Sequence, residues 1–157
     1  MSTATVTLQR PELGDFSSIV CFKAMVVGAE EALGEKAAAI TLISAGRQRG
    51  KQLVESLGLS QGSAESAIPL MQKALGKDGT RLCLIDKAEF GDTIRVYCRE
   101  TICSSGEPQG SPRQLTYTMG AVQGALEALT GKRLRGKQVE SVLRGGTHDV
   151  IEFETLG

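Results

Sequence analysis

The chain reads as an α+β domain: an antiparallel sheet of about four strands with four helices packed mainly on one face. Three observations predict this. Apolar residues recur at helical spacing over most of the first 75 positions, the period changes to two from Thr80 onward, and a glycine-notched helical stretch, LTYTMGAVQGALEALTGKRL, separates two pairs of strands. With 157 residues, 41% of them hydrophobic, the chain can bury a real core. One domain over 1–157 is expected, with residues 1–14 a peripheral or flexible segment.

The elements follow in order. Phe16, Ile19, Val20, Val26, Val27 and Leu33 fall at broadly helical intervals, with Asp15 or Ser17 as a cap and Gly34 as a stop, which predicts a first helix. From Glu35 a second helix carries Ala39, Ile43, Gly46, Gly50, Leu53 and Leu57 on one stripe and closes at Gly58. A polar break over 60–66 leads to a short helix over 67–76, with Ser66 as cap and Pro69 in the first turn. Leu82, Leu84, Ile94, Val96, Cys98 and Ile102 then alternate around a turn at Phe90, Gly91 and Asp92, the mark of a hairpin.

A proline and glycine loop over 106–114 delivers the chain to the last helix, expected over 115–134. Leu115, Met119, Val122, Leu126 and Leu129 share one face of it. Gly120 and Gly124 lie on a second stripe with Tyr117, Ala121 and Ala128. An interior helical glycine costs about 1 kcal/mol relative to alanine, so two of them one turn apart predict that a neighbouring helix, a partner chain or a ligand packs closely there. Two strands are expected last, over 137–144 and 148–155, joined by a hairpin at Arg144, Gly145, Gly146 and Thr147.

Composition excludes several classes of function. Eighteen basic and eighteen acidic side chains cancel, and aromatics are 4%, so neither bulk nucleic-acid binding nor a base-stacking platform is expected. Cys21, Cys83, Cys98 and Cys103 lack paired metal or redox spacing, which predicts free thiols and no metal. No run of about 18 apolar residues predicts a membrane span, and no secretory leader is read at the N-terminus, so a cytoplasmic protein is expected. His148, the only histidine, adjoins Asp149 in a strand, where neighbours point to opposite faces. No GxSxG, HExxH, Walker or dinucleotide pattern occurs, and no enzyme is expected.

The helix bearing Gly46, Gly50 and Leu53, the strand pair after it, and MGAVQGALEALTGKRLRGKQVESVLRGGTHDVIEFE together resemble the superfamily that unites TRAPP vesicle-tethering subunits, 4-vinyl reductase domains and bacterial hydrocarbon-binding proteins. The resemblance runs from about residue 16 to the end and is closest over 120–127. It implies an α+β fold, often dimeric through its helices, with a long apolar ligand in a tunnel between helices and sheet. TRAPP relatives carry an acylated cysteine after the second helix. This chain has Ser60, Gln61, Gly62 and Ser63 there, so covalent acylation is not expected. The cysteine pair that 4-vinyl reductase domains often carry in their last strands is also absent, and no cofactor is expected.

The inward stripes place Ile43, Leu53, Leu57, Met71, Ile94, Val96, Met119 and Val122 along such a tunnel, although each also suits an ordinary core position. Lys132, Arg133, Arg135 and Lys137, with Arg113 and Arg144 nearby, form a basic cluster that suits an anionic headgroup or a peripheral membrane contact, or simply a solvated helix end. Two functions are therefore expected. The first is a non-catalytic module for a lipid-like or tetrapyrrole-like hydrophobe, and the second is a homodimeric scaffold with no ligand.

Overall fold

A computed structural model describes residues 8–59, 61–62 and 64–157. Residues 1–7 of the expected peripheral segment, and Ser60 and Ser63 of the polar break, lie outside the described residues. The described residues form α1 (Ile19–Leu33), α2 (Glu35–Ser56), α3 (Ala64–Leu75), β1 (Leu84–Phe90), β2 (Ile94–Arg99), α4 (Tyr117–Thr130), β3 (Leu134–Glu140) and β4 (Asp149–Thr155). The strands make one antiparallel sheet in the order β1-β2-β4-β3. The α+β class, the four strands and the four helices are as the sequence predicts.

Period-two alternation gives the sheet one carbon face and one charged face. Ile94, Val96 and Cys98 of β2 point inward beside Ile151 and Phe153 of β4, with Val96 opposite Ile151 in the register. Outward stand Arg95 with Glu152 at 2.8 Å, Lys137 with Glu152 at 3.5 Å, and Arg135 with Glu154. On the same side Arg99 grips Asp86 at 2.5 and 2.9 Å, and with help from the His148 ring this lowers the Asp86 carboxyl to about 2.

The inner face carries α4, and α4 in turn carries α2. Residues 118–127 and 129 of α4 are all buried, because the helix has the sheet below it and a second helix above. The second contact is made by the glycines. A Cβ added at Gly46 would lie 2.9 Å from the Ala121 nitrogen, one at Gly50 2.8 Å from the Ala125 nitrogen, and one at Gly120 2.9 Å from the Arg47 nitrogen. These distances are below any that real Cβ atoms tolerate, so the backbones of α2 and α4 touch. The two notched faces expected to meet partners thus meet each other, which removes them as a surface for dimerisation.

Two buried carboxylates fasten this stack. Glu127 on α4 accepts the Arg47 guanidinium from α2 at 2.6 and 3.0 Å and the Leu134 amide of β3 at 2.9 Å. The pairing raises the Arg47 pKa against the opposing effect of burial. Asp149, with no exposed surface, accepts the Thr101 and Ser104 hydroxyls at 2.7 Å each and the Val142 amide at 3.0 Å. Hydrogen bonds to a charged group contribute about 1.5–3 kcal/mol each, which offsets the desolvation of a carboxylate with no cation beside it.

Several boundaries differ from expectation for local reasons. Ser18, rather than Asp15 or Ser17, caps α1. Helix α3 starts at Ala64, so Ser66 lies inside it and Pro69 falls in the second turn. Helix α4 stops at Thr130 because Gly131 adopts φ 72, four residues before the expected end, and β3 consequently begins at Leu134. Residues 142–144, expected to finish that strand, form a 3-10 turn pinned by Asp149. The largest difference is α1, of which only Val26 is fully buried, while Val20 and Leu33 of its expected inward stripe are exposed.

Gly120→Ala is expected to destabilise the protein by about 2–3 kcal/mol, since backbone cannot yield as a flexible side chain would. Gly28→Ala, where an added Cβ meets nothing within 4 Å, should stabilise it by up to about 1 kcal/mol. Urea denaturation of the two variants checks the contrast, and equal effects would contradict a backbone-to-backbone crossing.

Candidate functional site

Helix α3 rests on α4 and β1 rather than on α2, and the gap so left is a cavity of about 700 Å³. Gly50, Leu53 and Leu57 of α2 form one wall, sharing a face by their spacing of three and four. Leu70, Ala74 and Leu75 of α3 form the opposite wall, with Leu59 between them. Tyr117 and Ala121 of α4 make the floor, Leu82 and Ile102 close one end, and Ile19 and Phe22 of α1 lie along the side. The lining is mostly carbon.

A second, more polar concavity of about 890 Å³ adjoins the first and shares Phe16, Ile19, Thr80, Arg81 and Ile102 with it. Phe16, Ser17 and Ile19 are therefore the common edge of both. Arg81 and Glu100, at φ 58 and 50, are the described non-glycine residues in the left-handed region, and both line this concavity. Such conformations cost about 1–3 kcal/mol and persist where their surroundings dictate them. For Arg81 the surroundings are backbone hydrogen bonds that wrap residues 80–83 over the end of α3, among them the Arg81 amide to the Gly76 carbonyl at 3.0 Å.

The polar groups of the cavity are few. The Tyr117 ring is fixed edge-to-face on Phe22, with centroids 4.8 Å apart. Its hydroxyl makes no hydrogen bond with any described residue. Burial raises the Tyr117 pKa above 10, and the nearby positive charge of Arg49 partly opposes the shift. Arg49, Lys73 and Arg81 supply cations, and Asp15 and Asp78 supply carboxylates, all from positions open to water.

Helix α1 is held over this site by charge more than by buried carbon. Lys23 donates to the carbonyls of Ile102 and Cys103 and lies 3.6 Å from Glu107. Arg113 bridges Glu107 at 2.6 Å and Glu30 of α1. Burial works against the Arg113 charge, yet the two carboxylates leave its pKa above the ordinary value.

The cavity is not where the residue pattern placed it. The space between α4 and the sheet is filled by Ile94, Val96, Met119, Val122, Leu126 and Phe153, all buried, because inward stripes from a helix and a sheet close on each other. Of the eight expected tunnel residues, Leu53 and Leu57 line the cavity. Ile43 is half-buried against the core, and Met71, Ile94, Val96, Met119 and Val122 are inside it. Gly50 both packs on α4 and lines the cavity, while Gly46, Gly120 and Gly124 serve the crossing alone. The basic cluster is dispersed: Lys132 and Arg133 follow α4, whereas Arg135 and Lys137 sit on the outer sheet face beside Glu154 and Glu152.

Sequence reasoning missed Arg49, Leu70 and Tyr117 as site residues. One signal was present. Tyr117 is the member of the glycine stripe of α4 that has a polar tip, and a stripe that accepts a close neighbour at one end can open on a cavity at the other.

No family model matches the chain, and no curated protein sequence matches it. Solved structures do. The phenol-responsive sensory domain of the transcription activator PoxR, crystallised with phenol, is similar at a TM-score of 0.57 and 14% identity, over 88% of this chain and 75% of that one. Trafficking protein particle complex subunit 3 from Naegleria fowleri, covalently bound to palmitic acid, is similar at a TM-score of 0.51 and 13% identity, over 89% of this chain and 98% of that one. The fold is thus TRAPP-like, as the sequence resemblance implies. Among the described residues no helix is long and apolar enough to cross a membrane.

Because the Tyr117 hydroxyl has no partner among the described residues, Tyr117→Phe is expected to change stability at pH 7 by less than about 0.5 kcal/mol. Its folded pKa is raised, so its contribution is complete below pH 10 and fades as pH rises through the folded value. An ultraviolet titration should show one tyrosine ionising late, and the late step should vanish in Tyr117→Phe.

Proposed function

We propose that this protein is a non-catalytic binding module whose ligand is a hydrophobic small molecule lodged between α2 and α3. The observation that carries the reading is the carbon-lined cavity of about 700 Å³, within the range of small-molecule sites and bounded by helices. Two proteins of the same fold, one crystallised with phenol and one bound to palmitic acid, support it. Magnitude favours a long or multi-ring body. Each buried methylene contributes about 0.8 kcal/mol, so six carbons give roughly 5 kcal/mol and ten to fourteen roughly 8–11 kcal/mol, whereas association costs at least about 4 kcal/mol. The four cysteines, all free thiols, suit a reducing and hence cytoplasmic setting.

A second reading, homodimerisation, rests on the outer face of α1. Val20 and Met25 are 72% and 74% exposed. Cys21, Ala24, Gly28 and Ala32 continue that face, and Glu31 is its one charge. Leu33 and Ile40 extend the patch onto the start of α2. A contiguous apolar surface of this kind marks an interaction site, and a patch that pairs with its own copy needs no second chemistry.

Displacement of an environment-sensitive dye by long-chain hydrocarbons tests the first reading. Ala74→Trp, which fills the cavity from α3, should weaken dye binding by about tenfold or more while the protein remains folded. Unchanged binding in that variant would refute the site. Light scattering tests the second: a mass twice the 16.6 kDa of the chain is expected, falling to one chain in Met25→Lys, and a monomeric wild type would end it.

A further inference from the structure

Buried polar groups in this protein are satisfied: among the described residues, no side-chain nitrogen or oxygen sealed from solvent lacks a hydrogen-bond partner. Against that background several polar groups of the cavity are uncommitted among the described residues: Asp15, Lys73 and Asp78 in exposed positions, and Tyr117 and Arg49 beside each other. The Tyr117 hydroxyl sits on a ring that Phe22 holds in place, half-buried, and donates to nothing within the described chain. Arg49 forms no ion pair or hydrogen bond among the described residues, although Arg47, two residues before it on α2, is paired with Glu127.

Backbone geometry brings the two together. Gly46 packs on the Tyr117 main chain, and Gly46, Arg49, Gly50 and Leu53 follow at spacings of three, one and three along α2. Arg49 is therefore carried beside Tyr117, at the boundary between water and the leucine wall. Its charge reaches the phenol, as the opposed shifts at Tyr117 register.

Resting on the small-molecule reading above, we propose that the ligand is an amphiphilic carboxylic acid, its apolar body against Leu53 and Leu70 and its carboxylate taking the Tyr117 hydroxyl and the Arg49 guanidinium. A carboxylate accepts from both donors at once and in charge-assisted form. A neutral hydrocarbon of the same length would bury the phenol unpaired, and an alcohol would leave the cation without an anion. Lys73 and Arg81 add positive charge around the opening, against Asp15 and Asp78. The same site then selects by length through carbon and by headgroup through one phenol and one guanidinium.

The test is calorimetric titration with dodecanoic acid, dodecanol and methyl dodecanoate at neutral pH, below concentrations at which they self-associate. The acid is expected to bind about tenfold or more tightly than the other two. Arg49→Gln and Tyr117→Phe should each weaken the acid by about tenfold, with Arg49→Gln leaving dodecanol unchanged, and added salt should weaken the acid alone. Neither variant removes a bond among the described residues, so melting temperatures close to wild type certify the comparison. Equal binding of acid and alcohol, or indifference of the acid to both substitutions, would overturn the acid assignment and leave the hydrophobic cavity standing. Failure of all three to bind, with Ala74→Trp also without effect on dye binding, would overturn the cavity reading itself.

Discussion

Helices α2 and α4 cross with nothing between them but backbone, and the remaining architecture is arranged around that contact. Four positions must lack a Cβ for it to exist: Gly46 and Gly50 on one helix, Gly120 and Gly124 on the other. Each interior glycine forfeits about 1 kcal/mol of helix propensity. Close packing of two backbones over about two turns recovers dispersion energy, and the Arg47–Glu127 pair then fixes their register. Breaking such a pair while its carboxylate stays buried costs about 3 kcal/mol or more, so the crossing resists sliding as well as separation.

The cavity follows from the same contact. Helix α4 is the platform on which both α2 and α3 stand, and α2 is drawn down onto it more closely than side chains would allow. Beyond Gly50 the notches end, and Leu53 and Leu57 project toward α3 without meeting a matching stripe there. Core and cavity thus differ in origin. The core forms where the apolar stripe of α4 closes on the inner face of the sheet, and the cavity forms where two helices share a support and do not share a surface.

The sequence made the first of these legible and only hinted at the second. Helical and strand periods, the stops at Gly34 and Gly58, and the glycine stripes are local signals, and they located all eight of these elements to within a few residues. Leu134 escaped because a left-handed glycine at 131, which ended α4 early, has the same local composition as one that a helix passes through. Periodicity also shows that a face is buried without showing what buries it. Met119, Val122, Ile94 and Val96 therefore suited tunnel wall and core alike, and the structure makes them core. Partner choice is equally silent in one dimension: Arg135 and Lys137 read as a free basic run until β4 brought Glu154 and Glu152 alongside.

The attachment of α1 has a kinetic meaning. Free energies of local opening follow buried apolar area, and α1 has one fully buried side chain where α4 has eleven buried residues. The salt links of Lys23 and Arg113 can part and re-form without disturbing a carbon core. Helix α1 is thus the panel of least resistance along the cavity, the part of its wall that can lift while the crossed pair beneath stays shut.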